Sequence, residues 1–234
     1  MPRPPTGGPS GRPPRTSREA ILKAAQRLID RDGWEQLTIR RLAAEIGTSP
    51  GTVYYHVRDK DDLLVQLLNE YAEQFLLPHP RLPGDPRERI VAAATLMHDG
   101  LAARPWVVEV ITADDLLGDA ALWLVESIVD GAVEAGAGPE AAVHLYRQIW
   151  YYTAGEILIR AHRNRRQHQR DGPSYREQVF TRIDPATHPR LAAVAGRWSA
   201  LTGEDTYEQG LRALIDGALP PPAGGAAPGA GARA

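Results

Sequence analysis

The residues from Arg40 to Lys60 are rich in groups that can hold an anion. Thr48, Ser49, Thr52, Tyr54, Tyr55 and His56 carry hydroxyl or ring N–H donors suited to phosphate oxygens. Pro50, Gly51 and the methyl of Thr52 are small enough to approach a thymine methyl group. Arg40 can reach a guanine edge or a phosphate, and Lys60 adds a point charge for another phosphate. Together these groups point to contact with double-stranded DNA. The competing explanation of Tyr54, Tyr55 and His56 is a packed helix face; the spacing and the flanking caps favour the first reading.

Such groups need a short, well-aimed helix, and the surrounding pattern supplies one. Ser49 can cap a helix over 50–56, with Pro50 at its first position, where a missing N–H is harmless. Val53 and Val57 would turn inward. The preceding helix is capped by Thr38, with Leu37 and Leu42 placed as a hydrophobic staple, and offers Leu42, Ala43 and Ile46 as a packing face. It stops at Gly47, a plausible C′ glycine. The short turn at 47–49 makes this a helix-turn-helix. A first helix opens at a capping-box spacing, Thr16 to Glu19, and carries an apolar stripe of Ile21, Ala24, Ala25, Leu28 and Ile29 up to Gly33. A fourth opens at Asp59-Lys60-Asp61-Asp62, acids at the positive end of its dipole, with a stripe of Leu63, Leu64, Leu67, Leu68, Tyr71 and Phe75.

The remaining prolines punctuate longer helical patterns at about 86–104, 106–113, 114–135, 139–166, 188–201 and 204–218, with a loop expected at 167–187. No period-2 strand runs joined by hairpin turns are evident, so the expected fold class is all-α. Four segments follow: a disordered Arg/Pro-rich arm at 1–15, the helix-turn-helix domain at 16–63, a larger helical domain at 64–219, and a Pro/Gly/Ala tail at 220–234 expected to be disordered. Arg3, Arg12, Arg15 and Arg18 in and beside the arm are candidates to follow the DNA backbone or minor groove.

Taken together, the stretch from Ser17 to about Leu68 resembles the DNA-binding domain of the TetR family of transcriptional regulators. The resemblance rests on GW-x-x-L-T-x-R-x-L-A-x-x-x-G followed by T-V-Y-Y-H-V-x-x-K-x-x-L-L. It implies base contacts from Arg40, Pro50, Gly51 and Thr52, and mainly phosphate contacts from Tyr54, Tyr55, His56 and Lys60. The rest of the chain is similar to the tetracycline-repressor-like branch, through DPRER at 85–89, the Arg104-Pro105-Trp106 step and YEQGLRALIDGAL at 207–219. Two departures limit the carry-over. Pro50-Gly51 stands where the tetracycline-efflux repressor has a polar base reader, so the operator is not inferred. The acids and histidines of its magnesium-linked drug site have no evident counterparts, so tetracycline is not inferred.

The resemblance implies that the large domain senses a small molecule and forms a homodimer. Its helix at 139–166 carries Tyr146, Ile149, Trp150, Tyr151, Ile157 and Leu158 on more than one face, as a helix buried on several sides would. The helix at 204–218, with Tyr207, Leu211, Leu214 and Ile215, is its expected partner; a pair from each subunit would form a four-helix interface. Candidate pocket walls are Met97, Leu101, Trp106, Val110, Trp123, Trp150 and Tyr151, with His98, Glu109 and Arg147 as polar groups. Aromatic residues at helical spacing are more often ordinary core, and Arg147 is equally explained as a surface or interface ion-pair residue.

Charge supports a basic reader on an acidic body. Residues 1–60 hold 11 Lys and Arg against 6 Asp and Glu, leaving 16 against 23 in the remainder. There is no cysteine, which excludes disulfides and thiolate metal sites and fits a reducing compartment. The N-terminus lacks an apolar signal region, and no apolar stretch approaches the roughly 18 residues of a membrane helix. A cytoplasmic location is expected, with no membrane partner. No catalytic, phosphate-loop or dinucleotide motif is present, so no enzyme, metal or cofactor is expected. Asp114 and Asp115 point apart on a helix and better fit a cap. His162 and His168 flank Arg163, Arg165 and Arg166, a poor setting for a cation. The expected function is a DNA-binding regulator, a repressor released from a palindromic operator by a small ligand. The alternative is a helical binding module, or an enzyme, with the same fold and a vestigial DNA-binding domain.

Overall fold

The computed structural model describes residues 16–114, 116–168 and 172–221, without the side chains of 114, 167 and 168. The arm at 1–15, with Arg3, Arg12 and Arg15, lies outside the described residues, as do Asp115 and the tail beyond 221. Among the described residues there is no strand. The described residues form two compact units, one within Met1–Gln74 and Val110–Asp119 and the other within Phe75–Glu109 and Ala120–Ala234.

In the first unit, α1 (Arg18–Asp32) buries Ile21, Leu22, Ala24, Ala25, Leu28 and Ile29 along one face. Its cap is Ser17, whose hydroxyl accepts the Ala20 N–H at 3.1 Å, and not Thr16 as the expected spacing required. The shift by one residue removes the box, because the third helical position is then alanine. The helix stops at Gly33, whose φ of +89° suits glycine, and a 3-10 turn at Trp34–Gln36 follows. Helix α2 (Ile39–Glu45) starts where the Thr38 hydroxyl accepts the Arg41 N–H. Gly47, at φ +65°, then reverses the chain.

Helix α3 (Pro50–Tyr54) follows directly, capped by Ser49 on the Thr52 N–H at 3.3 Å. It is shorter than expected: Tyr55 and His56 lie in the turn beyond it. Val53 and Val57 anchor this segment in the core with Leu42 and Ala43, each larger side chain contributing about 1.5–3 kcal/mol by burial. Helix α4 (Lys60–Leu76) opens with Asp59 accepting the Asp62 N–H at 2.8 Å.

The second unit holds α5 (Pro86–Ala103), α7 (Leu122–Glu134), α8 (Pro139–His168) and α12 (Tyr207–Ala218) as its packed frame. Helix α5 packs on α7, α7 on α8, and α12 on both α8 and α5. The α5–α7 approach depends on Gly131, where a Cβ would lie 2.8 Å from Ile90 and 3.0 Å from the Pro86 carbonyl oxygen. The α8–α12 pairing agrees with the partnership expected from their apolar faces. Helix α6 (Pro105–Asp114) has residues in both units.

Several boundaries depart from the periodicity. The pattern at 114–135 breaks at Gly118, where a Cβ would meet the Asn69 side chain at 2.6 Å; α7 begins only after a 3-10 turn at Asp119–Ala121. The expected loop at 167–187 contains a helix, α9 (Tyr175–Phe180), with a full capping box between Ser174 and Glu177. The pattern at 188–201 divides into α10 (Pro189–Val194), a 3-10 turn at Ala195–Arg197 and α11 (Trp198–Leu201). The last helix starts at Tyr207 rather than at 204.

Candidate nucleic-acid interface and ligand-binding residues

Helix α3 and the turn after it display most of the expected DNA-contacting groups. Pro50, Gly51 and Ser49 are exposed, and Tyr54 and Tyr55 are 54% and 87% accessible. Thr48, Thr52 and His56 are half-buried. The Ser49 and Thr52 hydroxyls also serve the local cap, 3.1 Å from one another. The His56 ring meets the Tyr55 ring edge-on, with centroids 5.3 Å apart. Arg40 is exposed on the first turn of α2.

The neighbouring cations are already engaged. Arg41 reaches Asp32 at 2.6 Å and the Gln36 carbonyl at 2.8 Å, clasping α2 to the end of α1. Arg31 spans Asp32 and Glu45, and holds the Asp32 carboxyl below its ordinary range. Lys23 pairs with Glu19. Arg18, beside the arm, donates to the Gln66 side chain at 2.6 Å. The same Gln66 amide donates to the His56 carbonyl and to Asp62, each at 3.3 Å. Asp62 in turn accepts the Arg58 backbone N–H at 2.8 Å, which lowers its carboxyl pKa.

Gln66 and Trp34 were not among the residues singled out from sequence. Gln66 interrupts the leucine stripe of α4, a polar residue beside a core face. Trp34 stands in the GW pair of the motif, and Lys60 lies over its ring at 5.1 Å from the centroid. Those two signals were available.

The second unit distributes most of the candidate ligand residues along its helices. Met97 and His98 are buried on α5. Leu101 and Trp150 pack against the buried cluster of Val108, Ala154 and Ile157. Trp106 is half-buried with its Nε1–H unpartnered, and Trp123 stacks on His79 at 4.3 Å. Arg147 is exposed on α8, and Val110 is fully buried and belongs to the first unit. Glu109 pairs with Arg165 at 3.3 Å.

His98 anchors a polar column. Its ring nitrogens lie 2.9 Å from Glu156 and 3.1 Å from Asp99, and its ring stacks on Tyr207 at 3.9 Å. Tyr207 stacks in turn on Tyr152. The Tyr207 hydroxyl lies 2.7 Å from Thr153 Oγ1 and donates to the Ala94 carbonyl, and burial pushes its phenol well above the ordinary value. Arg160 pairs with Glu156 and with Asp205, whose carboxyl is held low chiefly by the Tyr207 N–H. Beside the column an open groove of about 660 Å³ is lined by Tyr151, Tyr152, Ile159, Arg163 and the chain at 202–207. Of the candidate ligand residues, Tyr151 lines this groove. Among the described residues, no group of three His, Asp or Glu side chains could hold a metal ion, and no helix is long and apolar enough to cross a membrane.

A capped helix-turn-helix presenting tyrosines and an arginine, with a larger helical unit in the same chain, defines a DNA-binding regulator. The tetR family of bacterial regulatory proteins matches residues 21–67, and the tetracycline-repressor-like C-terminal domain matches 79–219. The chain therefore belongs to the TetR family, with the C-terminal domain of its tetracycline-repressor-like branch. It is similar to an HTH-type transcriptional repressor of Mycobacterium tuberculosis, 26% identical over 85% of this chain and 78% of that protein. It is also similar to the class A tetracycline repressor from transposon 1721 of Escherichia coli, 26% identical over 84% and 88% of the two chains. Among solved structures, the TetR family protein ActR of Streptomyces coelicolor in complex with (S)-DNPA shares the fold. Its TM-score is 0.69 at 21% identity, covering 87% of this chain and 97% of that one.

Proposed function

We propose that the chain represses transcription as a homodimer on a palindromic operator and is released by a largely apolar or aromatic small molecule. The observation that carries the DNA-reading half is the contrast between two adjacent arginines. Arg41 is neutralised by Asp32, whereas Arg40 is exposed on the first turn of α2 and makes no ion pair among the described residues. Residues 16–63 read the DNA, and 64–219 bind the effector and dimerise, with the arm at 1–15 and the tail at 220–234 flanking them. Two recognition helices would sit in successive major grooves, with half-site centres about 34–36 Å apart. The work is cytoplasmic, where the operator is.

The dimer face is assigned to α8, which presents Val143, Tyr151 and Ile159 to solvent at successive eight-residue steps, a broad exposed apolar band. Arg147 shares that band and belongs with the interface. The effector is assigned to the second unit, with Met97, His98, Leu101, Trp106, Trp123 and Trp150 as its candidate contacts. The names of relatives as repressors and the (S)-DNPA complex of ActR support regulation by a small molecule. Release requires that the effector bind two conformations with different affinity.

The test is anisotropy of the purified protein with DNA from upstream of its own gene, at two salt concentrations, beside Arg40→Ala and Tyr54→Ala. Tight, salt-sensitive binding lost in both variants is expected. Weak binding, alike for every sequence and variant, would refute the DNA-reading role on that fragment. A genome-wide selection of bound fragments then decides whether the operator lies elsewhere.

A further inference from the structure

Five basic side chains of the DNA-reading unit already have partners. Arg18, Lys23, Arg31, Arg41 and Arg58 are each held by a carboxylate or by the Gln66 amide. Lys60 differs in kind. Three aspartates surround it in sequence, Asp59, Asp61 and Asp62, yet it makes no ion pair among the described residues. Asp59 caps α4 and Asp62 takes Arg58, so neither neutralises it. Its ammonium lies instead over the face of Trp34, 5.1 Å from the ring centroid.

This arrangement has a distinct chemical consequence. An aromatic face attracts a cation through its quadrupole but carries no net charge and takes up none of the three N–H donors by an ionic hydrogen bond. A lysine held by a carboxylate would have to surrender that partner before meeting a phosphate. A lysine held by an indole is oriented and still fully charged. Trp34 follows Gly33, whose positive φ sets the chain direction, and its ring is half-buried with the Nε1–H unpartnered. The half-buried ring offers one face to Lys60, whose ammonium lies over it.

We propose that Trp34 is a positioning residue for DNA binding, acting through Lys60, whose ammonium it holds at the start of α4, oriented and un-neutralised for a backbone phosphate. The proposal rests on the DNA-binding reading given above and adds to it a residue that touches no DNA itself.

The experiment uses the full-length protein and a labelled duplex recovered from a random-sequence library by the wild-type protein. Lys60→Ala should lower affinity and reduce the slope of log affinity against log salt by roughly 1.8, the loss of one phosphate contact from each subunit of the dimer. Trp34→Leu should weaken binding about two- to five-fold, with Trp34→Phe in between. In the Lys60→Ala background, Trp34→Leu should add nothing. A reading independent of DNA is the Lys60 Cε proton resonance, shifted upfield by the indole in the wild type and restored to the ordinary lysine position in Trp34→Leu. A Trp34→Leu penalty of equal size with and without Lys60 would reduce Trp34 to a fold residue and overturn the proposal. So would a Lys60 resonance with no upfield shift, a measurement that holds even if Trp34→Leu folds poorly. Failure of the wild type to show any salt-sensitive DNA binding would instead bring down the DNA reading, and the proposal with it.

Discussion

The side-chain amide of Gln66 lies 3.3 Å from the carbonyl oxygen of His56, joining the second turn of α4 to the end of the recognition segment. Its other end accepts Arg18 from the start of α1. One amide thereby keys three segments of the reading unit. Gln66→Met keeps the shape and removes these two bonds together with the one to Asp62. Stability to urea should fall by about 1–3 kcal/mol, and DNA affinity should fall with it. An unchanged midpoint would mean the amide is idle.

Arg40 and Arg41 should part company under mutation. Arg40→Ala should cost about 1–3 kcal/mol of operator binding and relax preference at one half-site position. Arg41→Ala should leave preference intact and act on stability, because its partners are Asp32 and the Gln36 carbonyl. Binding-site selection on both variants, with thermal melts, separates the two.

The reading unit should be acid-sensitive through Asp62. Its carboxyl pKa is lowered, first by the Arg58 N–H. A depressed folded-state pKa contributes stability above the unfolded value of about 3.9, and that contribution is lost as pH falls through the lower folded value. Asp62→Asn should therefore be less stable near neutrality and should lose less on acidification. Parallel acid titrations of both proteins, followed by circular dichroism, check this.

Helix α5 and helix α7 meet at Gly131 without room for a methyl group. Because one of the opposing atoms is the Pro86 carbonyl, the neighbour cannot swing aside. Gly131→Ala should cost about 1–3 kcal/mol by overpacking, seen as a lower melting temperature of the body. The open site of Gly138, where a Cβ meets nothing within 4 Å, supplies the control substitution.

The assignment of the dimer face predicts a change of mass rather than of fold. Ile159 is 71% exposed, so Ile159→Glu has little to disturb within the subunit. Sedimentation should show a monomer with an unchanged helical spectrum, and binding to a palindrome should weaken far more than binding to a single half-site. A dimer that persists would place the interface elsewhere.

Much of this was legible in the residues, for reasons that can be named. Ser49, Pro50 and Gly47 each carry their conformational instruction in one residue, so the turn and the start of α3 fall where the spacing puts them. The apolar stripe of α1 is long enough to average out noise, and its six buried positions include all five expected from periodicity. Short elements escape that averaging. Helix α9 has six residues, too few for periodicity, and Ser174 and Glu177 spell out its capping box as the one local signal for it. The partnership of Gln66 with Arg18 and His56 is of another kind. It joins residues 48 and 10 positions apart, and only the packed fold brings them together. The same holds for Lys60 and Trp34.

The stacked rings of His98, Tyr207 and Tyr152 run across α5, α12 and α8, with Thr153 and the Ala94 carbonyl gripping the middle ring. Sliding any one of these helices by a single residue is a shift of about 1.5 Å, enough to undo both the 3.9 Å stack and the 2.7 Å bond. These three helices consequently behave as one gear rather than three. Helix α7, the first residues of α6 and the short helices α9 to α11 carry no tooth in it. Those are the places to put a probe of conformational change.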